Sequence, residues 1–292
     1  MNHSDTQITQ TWPGAIDLSA AYSGLLTVPA SEYWLPGFPP NVVAGLIGAT
    51  GSGKSWVALM LAHDWALQTS LTGILHPRTG RVIYLALEGG HEIPARLHAI
   101  ARHLTPARRQ QAHRHLQILD WSDNAVTEWS RRLASIELVT RDADMIIIDN
   151  FRRLHSYDEN HSDDMSRVMG QLQNLAASSR TTLLILHHTP LAVDHDDSAP
   201  LRGRGSGAIT NTWRWVGGLR RKNGASVLSV EVAHDGIAPG QILGRFAFDA
   251  HTGLFRRCLE SDDTPMPVNP PGNKRPIRIR TRLAKLQEDS ND

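Results

Sequence analysis

The chain has 292 residues with 40% hydrophobic and 20% charged residues, enough apolar material for a sizeable core, which argues against global disorder. Its formal charge is +1 with neutral histidines, so charge alone neither demands nor forbids a nucleic-acid partner. One cysteine, Cys258, excludes a disulfide framework and a four-cysteine zinc site, and no apolar run approaches the roughly 20 residues of a spanning helix. The opening MNHSDTQITQTWPG has neither a basic stretch nor an apolar one of the signal type, so a reducing cytoplasmic setting and no membrane are expected.

In chain order, residues 1–40 carry five prolines and read as an extended N-terminal arm, suited to packing on a neighbouring subunit. From there short apolar runs of strand length recur at Val42–Ala49, Arg81–Leu87, Met145–Asp149, Thr182–Leu186, Trp213–Leu219 and Ser226–Val232. Helix-like stretches lie between them at Lys54–Gln68, Glu92–His103, Ala125–Val139 and Asp164–Ser178. Nearly continuous apolar strands alternating with helices predict βαβ units, an α/β class and a mainly parallel sheet flanked by helices. The expected division is an arm at 1–40, one core at 41–258 and a basic tail at 259–292. That tail holds GNKRPIRIRTRLAK without an acid, which reads as a solvated run.

The strongest motif is Gly48-Ala49-Thr50-Gly51-Ser52-Gly53-Lys54-Ser55, which fits G-x-x-x-x-G-K-[ST] between an apolar strand and a helical run. Glycines let several backbone N–H groups converge, and the helix start adds positive potential for phosphates. Lys54 is expected to reach the β- and γ-phosphates of ATP, with the Ser55 hydroxyl on Mg²⁺. A second magnesium-side group is expected at the end of another buried strand, and Met145–Asp149 supplies the Asp149 carboxylate; a helix cap is its other reading. Asn150 follows where a glutamate often stands, so the base must come from elsewhere. Val82–Glu88 is a further apolar strand ending in a carboxylate and then Gly89-Gly90, which makes Glu88 the candidate general base. The strand Thr182–Leu186 ends in His187-His188. Neighbouring strand residues face opposite ways, so a shared metal ion is disfavoured; His188 is the candidate phosphate sensor and His187 a structural residue.

Together these residues resemble the RecA/DnaB-like core of P-loop ATPases, in which the base follows the strand after the first helix. Ile148-Asp149-Asn150-Phe151-Arg152-Arg153-Leu154-His155, Leu186-His187-His188, and Arg202-Gly203-Arg204-Gly205-Ser206-Gly207 with Asn211-Thr212-Trp213-Arg214-Trp215 resemble elements of the RepA-type hexameric replicative helicases of broad-host-range plasmids. The resemblance spans about residues 42–255. It implies a RecA-like core, a homo-oligomer of six subunits with ATP between neighbours, and unwinding with 5′→3′ movement on single-stranded DNA. It further implies a replication initiator or primase as a partner, Arg214 as a finger reaching the neighbour's γ-phosphate, and Lys222 as a second trans cation. Arg152, Arg153, Arg202 and Arg204 are the candidate contacts to DNA phosphates, since no aromatic side chain sits in the loop at 191–208 for base stacking. A RecA-fold regulator or loader that uses ATP as an assembly switch is the competing reading; a weak nucleotide-binding module is disfavoured by the complete residue set.

Overall fold

The computed structural model describes residues 23, 32–74, 76–122, 128–190, 201, 203–233, 237–249 and 251–258. Nine strands form one sheet: β1 (Val43–Gly48), β2 (Val82–Ala86), β3 (Leu116–Asp120), β4 (Met145–Asp149), β5 (Thr182–His188), β6 (Trp215–Lys222), β7 (Ala225–Ala233), β8 (Ile242–Asp249) and β9 (Leu254–Arg257). Their order is β3-β2-β4-β5-β1-β6-β7-β8-β9. The pairings from β3 to β6 are parallel, and those from β6 to β9 antiparallel. The helices are α1 (Lys54–Leu67), α2 (Ile93–Ala101), α3 (Pro106–His115), α4 (Trp129–Thr140), α5 (Ser162–Ser179) and the single turn α6 (Gly207–Thr210).

β1, β2, β4 and β5 are buried on both faces of the sheet, which is why they read as unbroken apolar runs. Along β1, Ala44 and Leu46 join one core with α1 and α2, while Val43 and Ile47 join a second with α4 and α5. β4 divides likewise, with Met145 and Ile147 on the first side and Ile146 and Ile148 on the other. α5 shows how one face is chosen: Met165, Val168, Met169, Leu172, Leu175 and Ala176 recur at three- and four-residue steps and are buried, and Asp163 and Asp164 occupy its first turn. α1 is buried along nearly its whole length, and Trp65 near its end meets the segment before β1.

That segment corrects the expected arm. Trp34, Leu35 and Phe38 are fully buried in the first core. The Trp34 indole donates to Thr182 Oγ1 at 2.9 Å, Trp65 donates to the Trp34 carbonyl at 3.1 Å, and Phe38 stacks on Trp215 at 4.8 Å. The boundary at residue 40 therefore falls inside a packed unit, because the rings of Trp34 and Phe38 find their hydrophobic partners within the same chain. The rest of the arm and the tail at 259–292 lie outside the described residues. β3, β8, β9 and α3 are elements that the hydrophobic pattern does not announce. Among the described residues no helix is long and apolar enough to cross a membrane.

Candidate active site

The carboxyl ends of β1, β2, β4 and β5 lie together on one edge of the sheet, and each delivers one of the expected groups. β1 runs into the loop 48–55, which turns directly into α1. Gly53 sits at the helix start with φ +93°, and a Cβ there would stand 2.6 Å from the Phe255 ring, so the position requires glycine twice over. The loop is tied to the antiparallel half by Ser226 Oγ, which donates to the Ser52 carbonyl at 2.6 Å.

Lys54 is buried, and its ammonium donates to the Gly48 carbonyl at 2.8 Å and the Ala49 carbonyl at 2.9 Å. Burial pulls its pKa down to about 8, against the pull of Asp149 and Glu88, which favour the charged form. Asp149 ends β4, buried, and its Oδ2 accepts from the Tyr84 hydroxyl at 2.6 Å. Burial raises the Asp149 pKa; hydrogen bonds from Tyr84 and Ser55 and the charges of Arg96 and Lys54 oppose that rise. Ser55 and Asp149 thus present a hydroxyl and a carboxylate side by side. These are hard oxygen donors of the kind magnesium takes, so the residues fit the ion.

Glu88 follows β2 and is exposed at the same edge. Asn150 Nδ2 donates to Glu88 Oε2 and lies 3.2 Å from His188 Nε2. His188 Nδ1 is 3.3 Å from Thr50 Oγ1 and 3.5 Å from Lys54 Nζ. Burial, and then the Lys54 charge, lower the His188 pKa. The two adjacent histidines do part company as their strand setting requires. His187 turns to the other face, edge-on to Phe151 and Trp213 with ring centroids at 5.3 and 6.3 Å. Among the described residues no group of His, Cys, Asp and Glu forms a further metal site.

The basic candidates fall in three places. Arg152 and Arg153 form the exposed turn that directly follows Asp149-Asn150. Arg204 is exposed, and its backbone is gripped by β5: its N–H donates to the His188 carbonyl at 2.7 Å, and its carbonyl meets His187 Nε2 at 2.7 Å. Arg202 lies outside the described residues. Arg214 and Lys222 bracket β6. Arg214 precedes the strand and donates its N–H to the Val43 carbonyl, at the edge opposite the phosphate loop. Lys222 ends the strand at the tight turn Asn223-Gly224, beyond the register Gly48–Leu219. Eight residue steps at about 3.3 Å separate them by roughly 26 Å, so the two cannot serve one γ-phosphate as first expected. Sequence reasoning missed Tyr84, which looks like any mid-strand core residue, and Asn150, which looked like an absent glutamate; its position next to the strand-end acid was the available signal.

A parallel sheet with a phosphate loop on β1, an acid two strands away on β4 and β5 inserted between them defines a RecA-like P-loop ATPase. The chain belongs to the AAA_25 family, described as an AAA domain, whose model matches residues 21–192. Its fold is similar to that of the ATPase domain of G40P, with a TM-score of 0.58 at 14% identity over 84% of this chain and 99% of that one. It is also similar to the RadB recombinase, with a TM-score of 0.52 at 18% identity over 75% of this chain and 93% of that one.

Proposed function

We propose that the protein is a ring-forming, ATP-dependent replicative DNA helicase that moves 5′→3′ on single-stranded DNA in plasmid or mobile-element replication. Six copies would hold ATP at their seams, in the cytoplasm, with a replication initiator or primase as a further partner. The observation that carries this reading is the grip of β5 on Arg204: the backbone carbonyl of His188, at the nucleotide site, and the ring of His187, on the other face of the strand, hold the backbone of an exposed arginine at its N–H and its carbonyl. A change at the γ-phosphate would then reach a basic loop without passing through any other element. Arg152 and Arg153, one turn from Asp149, stand in the same relation to β4.

In this reading Lys54 leaves the loop carbonyls for the β- and γ-phosphates, and Ser55 and Asp149 hold Mg²⁺. Bound there, the ion would draw charge from the phosphate oxygens. Glu88 takes the proton of the attacking water, His188 contacts the γ-phosphate, and Lys222 of a neighbouring copy stabilises the charge that develops on it. Lys222 is preferred to Arg214 because it lies on the edge that carries the phosphate loop. Arg152, Arg153, Arg202 and Arg204 contact DNA phosphates.

The deciding experiment measures ATP hydrolysis with and without single-stranded DNA, and strand displacement from a forked duplex. Several-fold stimulation with displacement is expected. Hydrolysis indifferent to DNA, with no displacement, overturns the helicase and leaves the regulator or loader.

A further inference from the structure

Asn150 stands between the candidate base and the candidate sensor and touches both with one atom. It is 3% exposed, its Nδ2 donates to Glu88 Oε2, and the same nitrogen lies 3.2 Å from His188 Nε2. An amide nitrogen only donates, so His188 Nε2 accepts and the ring proton resides on Nδ1. The opposite amide orientation would set Oδ1 against the Glu88 carboxylate, acceptor against acceptor, so the observed one is dictated by its neighbour. Nδ1 faces Thr50 Oγ1 at 3.3 Å, inside the phosphate loop. The Lys54 ammonium, which donates to two loop carbonyls at 2.8 and 2.9 Å, also stands 3.5 Å from Nδ1 and competes for the opposite tautomer; the shorter contacts of Nε2 with Asn150 at 3.2 Å and of Nδ1 with Thr50 at 3.3 Å outweigh it. Asn150 Oδ1 is buried with no hydrogen-bond partner among the described residues.

We infer that Asn150 is a positioning residue that holds Glu88 at the site and fixes His188 as the Nδ1–H tautomer, so that the imidazole offers a donor to the γ-phosphate. This rests on the reading of Glu88 as base and His188 as sensor. The second nitrogen of a histidine is set by what the first one bonds. Here that partner is one residue beyond the magnesium-side carboxylate, so base, sensor and acid share a single rigid junction.

The tautomer is read directly by long-range ¹⁵N–¹H NMR of the full chain without nucleotide, with His188 assigned by its loss in His188→Gln. The native protein should show Nδ1–H, and Asn150→Ala should shift His188 towards Nε2–H. Steady-state ATP hydrolysis should then lose about 10- to 100-fold in kcat, with KM within about threefold. Asn150→Asp, equal in size but placing a carboxylate against Glu88, should lose at least as much. A native Nε2–H tautomer, or one unmoved by Asn150→Ala, overturns the proposal, and the native measurement needs no Asn150 variant to fold. A shifted tautomer with unchanged kcat overturns the catalytic positioning. Native turnover in Glu88→Gln would overturn the base reading instead, and with it the half of the proposal that concerns Glu88.

Discussion

The two halves of the sheet are built differently and carry different duties. From β3 to β1 the strands are parallel; β2, β4, β5 and β1 are buried on both faces and end together at the nucleotide edge, where Lys54, Glu88, Asp149 and His188 meet. From β6 to β9 the strands are antiparallel and, among the described residues, bring no such cluster. Instead they brace the phosphate loop from behind, through Ser226 on the Ser52 carbonyl and Phe255 against Gly53, and they extend the β6–β7 turn past the loop. Parallel connections force every strand's carboxyl end to one edge, so chemistry accumulates there; antiparallel hairpins alternate direction and instead supply support and a projecting tip.

The largest effects should come from the parallel half. Lys54→Ala and Glu88→Gln should each lower ATP turnover by about 10³-fold. Lys54→Ala should also lose nucleotide affinity, whereas Glu88→Gln should keep it, as measured by calorimetry with ATP and magnesium. Unaltered turnover in either would remove that residue from the chemistry. The hairpin tip comes next. Lys222→Ala should cost about 10²-fold in turnover and regain activity when mixed with Lys54→Ala subunits, whereas Arg214→Ala, at the far end of β6, should stay within about twofold. The reverse ranking would return the trans role to Arg214 and break the assignment of the two edges.

Acid should weaken the parallel half specifically. His155 and His187 lie in the second core, and burial holds the pKa of each down to about 4 from an ordinary value of 6.5. Between pH 6.5 and 4 the unfolded chain binds protons that the folded one refuses, so stability is present above this window and is lost as the pH falls through it. The loss is on the order of 3 kcal/mol for each histidine. Denaturant unfolding at pH 7 and pH 4 should show it, and His155→Leu should flatten the dependence; an equal pH response in that variant would place the acid lability elsewhere.

The same division decides what the sequence discloses. β1, β2, β4 and β5 are apolar throughout because both their faces are buried, and the motif residues sit at their ends; pattern and chemistry coincide. β3 is an edge strand with partly exposed positions, preceded by α3, whose residues are all unburied, so neither shows a periodic signal. β8 holds apolar residues at Ile242-Leu243 and Phe246–Phe248, broken by Gly244 and Arg245, and β9 only Leu254-Phe255. Trp34 and Phe38 are placed by partners far along the chain, Thr182 and Trp215, and no local pattern encodes such a contact. Asn150 was visible as a letter but not as a role, because its meaning lies in two hydrogen bonds to other strands.

The smallest expected effect tests whether the antiparallel half merely supports the loop or also shapes it. Ser226 is fully buried, and its hydroxyl donates to the carbonyl of Ser52, itself buried at the heart of the loop. In Ser226→Ala that carbonyl loses its donor in a place water does not reach, which costs about 1–2 kcal/mol of stability. The loop 48–55 would still have its glycines and its helix start, but the Ser52 peptide would be free to tilt, and the N–H groups that converge on phosphates would tilt with it. Nucleotide affinity should therefore fall by about three- to tenfold, with kcat at saturating ATP nearly unchanged, since Glu88, Asp149 and His188 are untouched. Lower stability with native affinity would reduce β7 to a scaffold; lower kcat at saturation would show that the two halves share the chemistry after all.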